Sequence, residues 1–205
     1  MQVVEQPSMA LSLSGVKSFA HIYSQFRYRS YLTIFPCISA AGDKLPLSVL
    51  LQGKTYRVFN KIREGGQNPP NLVKLYHTES GKMTEAVMLA WLQGPVLTYT
   101  QGRPAALLLD KYGSHWTTRV RELAAHLNIE LILVPPGMTS ICQPLDVAFN
   151  GPMKIIRMKI WKEQRKENPF FPDTWQSAVA RAVQAYRKVS RWTTRFAWRA
   201  AQLID

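Results

Sequence analysis

Acidic side chains are scarce in this 205-residue chain: 13 Asp and Glu stand against 26 Lys and Arg, for a formal charge of +13. A surplus of that size argues against a generic metabolic enzyme and for a polyanionic partner. Cysteine is nearly absent. Cys37 and Cys142 form neither a CxxC pair nor a Cys/His ligand spacing, which excludes a disulfide framework and a zinc site and leaves two buried thiols. Long apolar runs are missing too. The longest aliphatic stretch, Ala105 to Leu109, is far short of the roughly 20 residues a membrane helix needs, and the first residues lack a basic-then-apolar signal pattern. The expectation is a soluble, intracellular protein with no membrane partner. Repeats and low-complexity tracts are also lacking. What is present is 46% apolar and 11% aromatic residues, enough to bury a core and to exclude general disorder.

The basic charge is concentrated. Residues 154–205 hold twelve Lys and Arg against four Asp and Glu, whereas residues 1–153 hold fourteen against nine. A basic helical surface of this kind attracts phosphates by steering and counterion release without itself reading sequence. The alternative is a solvated helical face that happens to be basic.

Periodicity divides the chain into N-terminal strands (1–53), an α/β core (84–146) and basic helices (147–205), read together as one domain. Tyr31–Ser39 and Lys44–Gln52 are apolar segments joined by Ala40-Ala41-Gly42-Asp43, a hairpin pattern. Residues 60–71, rich in Gly, Pro and Asn, form an irregular loop. Thr84–Leu92 reads as a short helix capped by Thr84. Ala105–Leu109, a helix over Thr117–Leu127 and Glu130–Val134 make a strand–helix–strand unit with parallel, buried strands. A long helix from about Leu145 to Glu167 aligns Phe149, Met153, Ile156 and Ile160. Two more follow, one capped by Asp173 or Thr174, the last over about Thr194–Ile204.

Asp110 ends the first strand of that unit, and Asp146 follows the second by a loop and opens a helix. Ligands of open α/β sheets sit beyond the carboxyl ends of the strands. Two carboxylates converging there are what a Mg²⁺ or Mn²⁺ site for phosphoryl transfer requires. Topology alone leaves the other reading open, in which each aspartate ends a strand or opens a helix for capping reasons.

Particular motifs go further. ALLLDKYGSH (Ala106–His115), the segment IELILVPPGMTSICQPLDVAFNGPMK (Ile129–Lys154), CISAAGDKLPLSVLLQGK (Cys37–Lys54) and SGKMTEAVMLAWL (Ser80–Leu92) together resemble the catalytic core of pogo-type transposases of the pogo/mariner superfamily. The similarity runs from about residue 2 to residue 204. Its most specific part is LLLD with SH, then PP with QPLD.

The resemblance implies an RNase H-like mixed sheet flanked by helices, with a helical C-terminal region and three metal-binding acids. Asp110 corresponds to the second acid and Asp146 to the third; Glu5 stands where the family has its first aspartate. The extra methylene of Glu5 shifts its carboxylate by about a bond length, and misplacement of about 1 Å can cost ~100-fold in rate. Asp43, in the hairpin turn, is read as a turn residue. The chain begins four residues before Glu5, so no N-terminal helix-turn-helix module is expected. The implied function is two-metal cleavage or strand transfer on DNA in the nucleus, with a homodimer left open. The competing reading is an inactive transposase-derived protein that binds DNA or chromatin.

Lys154, Arg157, Lys159, Lys162, Arg165 and Lys166 are the candidate backbone-gripping residues. His115 either orients a carboxylate or phosphate or satisfies local hydrogen bonds. Gln143 and Pro144 shape the turn that aims Asp146, while His21, His77 and His126 carry no assigned chemistry. Trp161, Trp175, Trp192 and Trp198 are assigned to core or interface packing rather than base stacking.

Overall fold

A computed structural model describes residues 2–3, 32–54, 60, 72–110, 113–171 and 174–205. Glu5, His21, Asp173 and all but the first residue of the expected 60–71 loop lie outside the described residues.

Strands β1 (Gln2–Val3), β2 (Leu32–Phe35) and β3 (Leu47–Gln52) pair antiparallel in that order, and β4 (Val73–Thr78) lies parallel to β3. The expected hairpin is present, with Ile38 bridging Lys44 and Gly42 at φ 93°, a left-handed turn position suited to glycine. Strand β3 shows why its sequence is almost wholly apolar. Leu47, Val49 and Leu51 point into one hydrophobic cluster and Leu50 into another, so both faces of the strand are covered. Strand β4 had no counterpart in the sequence reading. Lys74 and His77 interrupt its apolar pattern, and a parallel partner is reached by a long crossover, so no tight turn next to β3 announces it.

Helix α1 (Glu85–Trp91) starts where expected, the Thr84 hydroxyl accepting the Val87 N–H at 3.3 Å. It does not stop at Leu92. The helical path widens into a π turn over Leu92–Val96, which accommodates Pro95, and continues as α2 (Leu97–Thr100) until Gln101 turns left-handed at φ 54°. Strand β5 (Ala105–Leu109), helix α3 (Thr118–His126, capped by Thr117) and strand β6 (Ile129–Leu133) form the parallel unit foreseen from the sequence. The two strands are less enclosed than expected. Leu109 and Ile129 are buried against Trp91, Val120 and Ala124, but Ala106 and Glu130 are exposed and Ile132 is 43% exposed. Among the described residues β5 hydrogen-bonds to β6 alone, so this pair stands apart from the four-stranded sheet.

The C-terminal part is helical. After the short α4 (Thr139–Cys142), a π turn over Leu145–Phe149 leads into α5 (Asn150–Glu167). Phe149, Met153 and Ile160 are buried and Ile156 packs beside them, the stripe read from the sequence. Helix α6 (Trp175–Lys188) opens on a capping box between Thr174 and Ser177 and covers the same cluster with Val179, Ala182, Val183 and Tyr186. Helix α7 (Arg191–Ala200) begins three residues earlier than expected, because Ser190 caps it by accepting the Thr193 N–H at 3.0 Å. The architecture is therefore α/β, with mixed strand pairing, flanking helices and a helical C-terminal region.

The hairpin is tied to the end of α6. Lys44 Nζ donates to the carbonyls of Tyr186, Arg187 and Val189, which the helix leaves without intrahelical donors. The Tyr186 hydroxyl lies 2.9 Å from the Cys37 carbonyl and 2.8 Å from that of Leu45, its single proton shared between them. Burial pushes that hydroxyl well above the ordinary tyrosine range and the Cys37 thiol up to about 12.

Candidate active site

Asp110 stands at the carboxyl end of β5, and the chain turns through a 3₁₀ segment, Gly113–His115, that brings His115 back onto it. His115 Nδ1 lies 2.7 Å from Asp110 Oδ1. A carboxylate only accepts, so Nδ1 carries the proton and donates. The imidazole is buried at 4% exposure, with the Phe35 ring 5.6 Å away and Trp91 edge-on to Phe35 at 5.0 Å. That packing leaves the imidazole little freedom to turn. The hydrogen bond from His115 holds the Asp110 carboxyl below its ordinary value of 3.8, against the upward pull of partial burial.

Asp146 is built differently. Pro144, buried at φ −51°, starts the π turn, and the Gln143 carbonyl accepts the N–H groups of Asp146 at 2.9 Å and Val147 at 3.0 Å. The wide turn closes where the Asn150 N–H donates to the Leu145 carbonyl five residues back. Asn150 Nδ2 then donates to Asp146 Oδ1 at 2.9 Å. That pairing fixes the amide, since only the nitrogen can donate to a carboxylate, and Asn150 Oδ1 is left buried with no hydrogen-bond partner among the described residues. Gln143 Oε1 is in the same condition.

Asp110, His115, Gln143, Asp146 and Asn150 all line one cavity of about 410 Å³ between β2 and β5. The two aspartates read from the sequence thus share one space. With two carboxylates and two unengaged amide oxygens beside one imidazole, the donors are mainly oxygen, which suits Mg²⁺ or Mn²⁺ more than a softer metal. Among the described residues no three Asp, Glu, His or Cys side chains cluster as a metal site, and Glu5 lies outside them. The sequence reading did not single out Asn150; its spacing of four from Asp146 within DVAFN was the available signal.

The candidate basic residues divide. Lys154, Lys159, Lys162 and Lys166 are exposed on α5. Arg165 is half-buried, its guanidinium 5.6 Å from the Trp161 ring centroid and its Nη1 donating to the Pro169 carbonyl at 2.8 Å. Arg157 is buried at 8% exposure on the side of the helix that carries Met153 and Ile160, so it does not share the lysines' open surface. Of the tryptophans, Trp175 and Trp198 pack against the core as expected, while Trp192 is 70% exposed.

The fold is α/β, with one carboxylate at a strand's carboxyl end and another at a helix start lining one cavity, the edge at which α/β sheets bind their ligands. The chain belongs to the DDE superfamily endonucleases, whose family model matches residues 29–188, and within them to the pogo-type, transposase-derived domains. It is 28% identical over 130 residues to a mouse and to a human protein named "Pogo transposable element with KRAB domain", and 28% identical over 132 residues to a human "Pogo transposable element with ZNF domain". Those matches cover 62–63% of this chain but 20% of the KRAB-domain proteins and 9% of the ZNF-domain protein. The chain therefore spans about a fifth or less of the length of these relatives. A solved structure titled as a simian T-cell lymphotropic virus intasome with PP2A regulatory subunit B56 gamma overlaps 57% of this chain and 41% of its own at 16% identity. Its TM-score is 0.35, a distance at which the overlap says nothing of shared chemistry. No helix among the described residues is long and apolar enough to cross a membrane.

Proposed function

We propose that this domain cleaves or joins phosphodiester bonds in DNA with divalent metal ions held by Asp110, Asp146 and Glu5. The observation that carries the proposal is the shared cavity of Asp110 and Asp146, with the Gln143 and Asn150 amide oxygens beside them. When bound, Mg²⁺ or Mn²⁺ neutralises the phosphate and lowers the pKa of an attacking hydroxyl or water. The protein's own residues do the positioning. His115 holds one oxygen of Asp110, Asn150 holds one oxygen of Asp146, and the other oxygen of each carboxylate is outside those hydrogen bonds. Lys154, Lys159, Lys162 and Lys166 attract the DNA backbone, offsetting the repulsion between the acids and phosphate. The names of the pogo relatives support DNA as the substrate and the nucleus as the place of action.

One observation favours a second reading, DNA binding without cleavage: Glu5 stands where the family has its first aspartate. A nicking assay separates them. Supercoiled plasmid with Mn²⁺ or Mg²⁺ should be nicked or linearised, and a chelator or Asp110→Ala should abolish this while the protein remains folded and still binds DNA. Absence of metal-dependent cleavage, or cleavage indifferent to Asp110→Ala, leaves the binding protein.

A further inference from the structure

Helix α7 has two unlike faces. Thr194, Ala197 and Ala201 are buried, and Trp198 reaches the cavity that contains Asp110 and Asp146. The opposite face carries Trp192, Arg195, Phe196 and Arg199, spaced i, i+3, i+4 and i+7, and every one is exposed. Trp192 is 70% exposed and Phe196 43%. Their rings lie 5.2 Å apart and within 9° of parallel, a stacked pair in which each ring covers part of one face of the other and the rest, chiefly on Trp192, stays open to solvent.

The charge carried by the helix itself is of one sign. Helix α7 contains no acidic residue. Arg191 is engaged by the protein, its Nη2 3.6 Å from Asp43 and its Nε donating to the Ala41 carbonyl at 3.2 Å. Arg195 lays its aliphatic stem over Gly42, where any side chain would collide with it, and its guanidinium has no hydrogen-bond or ion-pair partner among the described residues. Arg199 is tethered through Nε to the Asp205 carbonyl at 2.7 Å.

We propose that the Trp192–Phe196 step, flanked by Arg195 and Arg199, is a stacking platform for unpaired bases of single-stranded DNA. Exposed ring faces accept any base, and guanidinium groups beside them accept its phosphates. Duplex DNA keeps its base faces inside the stack and gains only the electrostatic part. A second copy of this chain is a poorer occupant, because a self-complementary contact would bring Arg195 and Arg199 toward their own equivalents in molecules each carrying +13. The inference deepens the DNA-directed reading of the acidic cavity and rests on it for the choice of DNA. Through Trp198 the same helix borders that cavity, so the platform lies on the element that walls the acidic site.

The test is fluorescence anisotropy of a labelled oligodeoxynucleotide of about 15 nucleotides, single-stranded or annealed to its complement. Trp192→Ala and the Trp192→Ala/Phe196→Ala pair alter only exposed side chains, and melting curves would confirm intact folding. Expected is a loss of roughly 5- to 150-fold in affinity for the single strand, the range for removal of one base stack of 1–3 kcal/mol, with duplex affinity changed less than about twofold. Equal losses on both forms, no loss on either, or no single-strand binding by the parent protein overturns the platform. So does loss of self-association by sedimentation with single-strand affinity unchanged, which would make the step a contact between copies. Stacking-dependent binding without cleavage would leave the platform standing and remove the enzyme, and cleavage with binding indifferent to Trp192 would do the reverse.

Discussion

His115 Nδ1 and Asp110 Oδ1 lie 2.7 Å apart, joined by a side chain that is buried and one that is 45% exposed. The buried partner is the fixed one, so His115 aims the carboxylate and not the reverse. Replacing His115 by Ala should lower any metal-dependent cleavage rate by about 10- to 100-fold, and Asn150→Ala should do the same through Asp146. Cleavage kinetics beside melting curves check this. An unchanged rate in folded variants would show that neither residue positions an acid.

The same contact has a pH signature. Asp110 titrates below its ordinary 3.8 in the folded protein, so its stabilising contribution is complete above that value and is lost as pH falls through the lower folded one. Melting temperature measured without metal from neutral pH downward should fall more steeply in the parent than in Asp110→Asn over that acid range. Parallel curves would contradict the assignment.

Lys44 and Tyr186 predict a stability effect at the tie between the hairpin and α6. Tyr186→Phe takes the hydroxyl donor from the carbonyls of Cys37 and Leu45 and should cost about 1–3 kcal/mol. Lys44→Met removes the cation from the α6 C-terminus and should cost about 1–2 kcal/mol. Denaturant midpoints are the measurement.

Cys37 should be inert. With its thiol held up to about 12, almost no thiolate forms at pH 8, so iodoacetamide should leave it unmodified until the protein unfolds. Peptide mapping of native and urea-treated protein reads this directly, and rapid native labelling would show the hairpin is not closed over it.

Salt dependence separates the basic residues of α5. Changing Lys154, Lys159, Lys162 and Lys166 to Gln should flatten the slope of log affinity against log salt by about 0.9 for each phosphate that is no longer neutralised. Arg157→Gln should leave the slope alone and lower stability, since Arg157 is buried. A change of slope with Arg157→Gln would place it among the DNA-binding residues after all.

Much of this was legible in one dimension because local patterns follow local physics. Threonines at positions 84, 117 and 174 marked helix starts, and the spacing of Phe149, Met153, Ile156 and Ile160 marked a buried face. What was missed was in part distant pairing and in part local geometry that residue type alone does not single out. Strand β4 needed β3 as a parallel partner, the π turns answered to Pro95 and to the closing of the Asp146 segment, and the early start of α7 turned on the Ser190 side chain. Among the lysines and arginines, sequence could count charge but not exposure, which is why Arg157 was grouped with residues it does not accompany.

By itself the sequence determined the kind of chemistry: an excess of 13 positive charges, two aspartates at element ends, and motifs specific enough to name a family. Those properties are carried by residue type and spacing, and no folding is needed to see them. Tertiary structure alone decided that His115 and Asn150 hold the two acids, that Arg157 is inside, and that Trp192 and Phe196 face solvent as a stacked pair. Orientation and burial arise from which surfaces meet when distant segments pack, and that is settled only once the chain has folded.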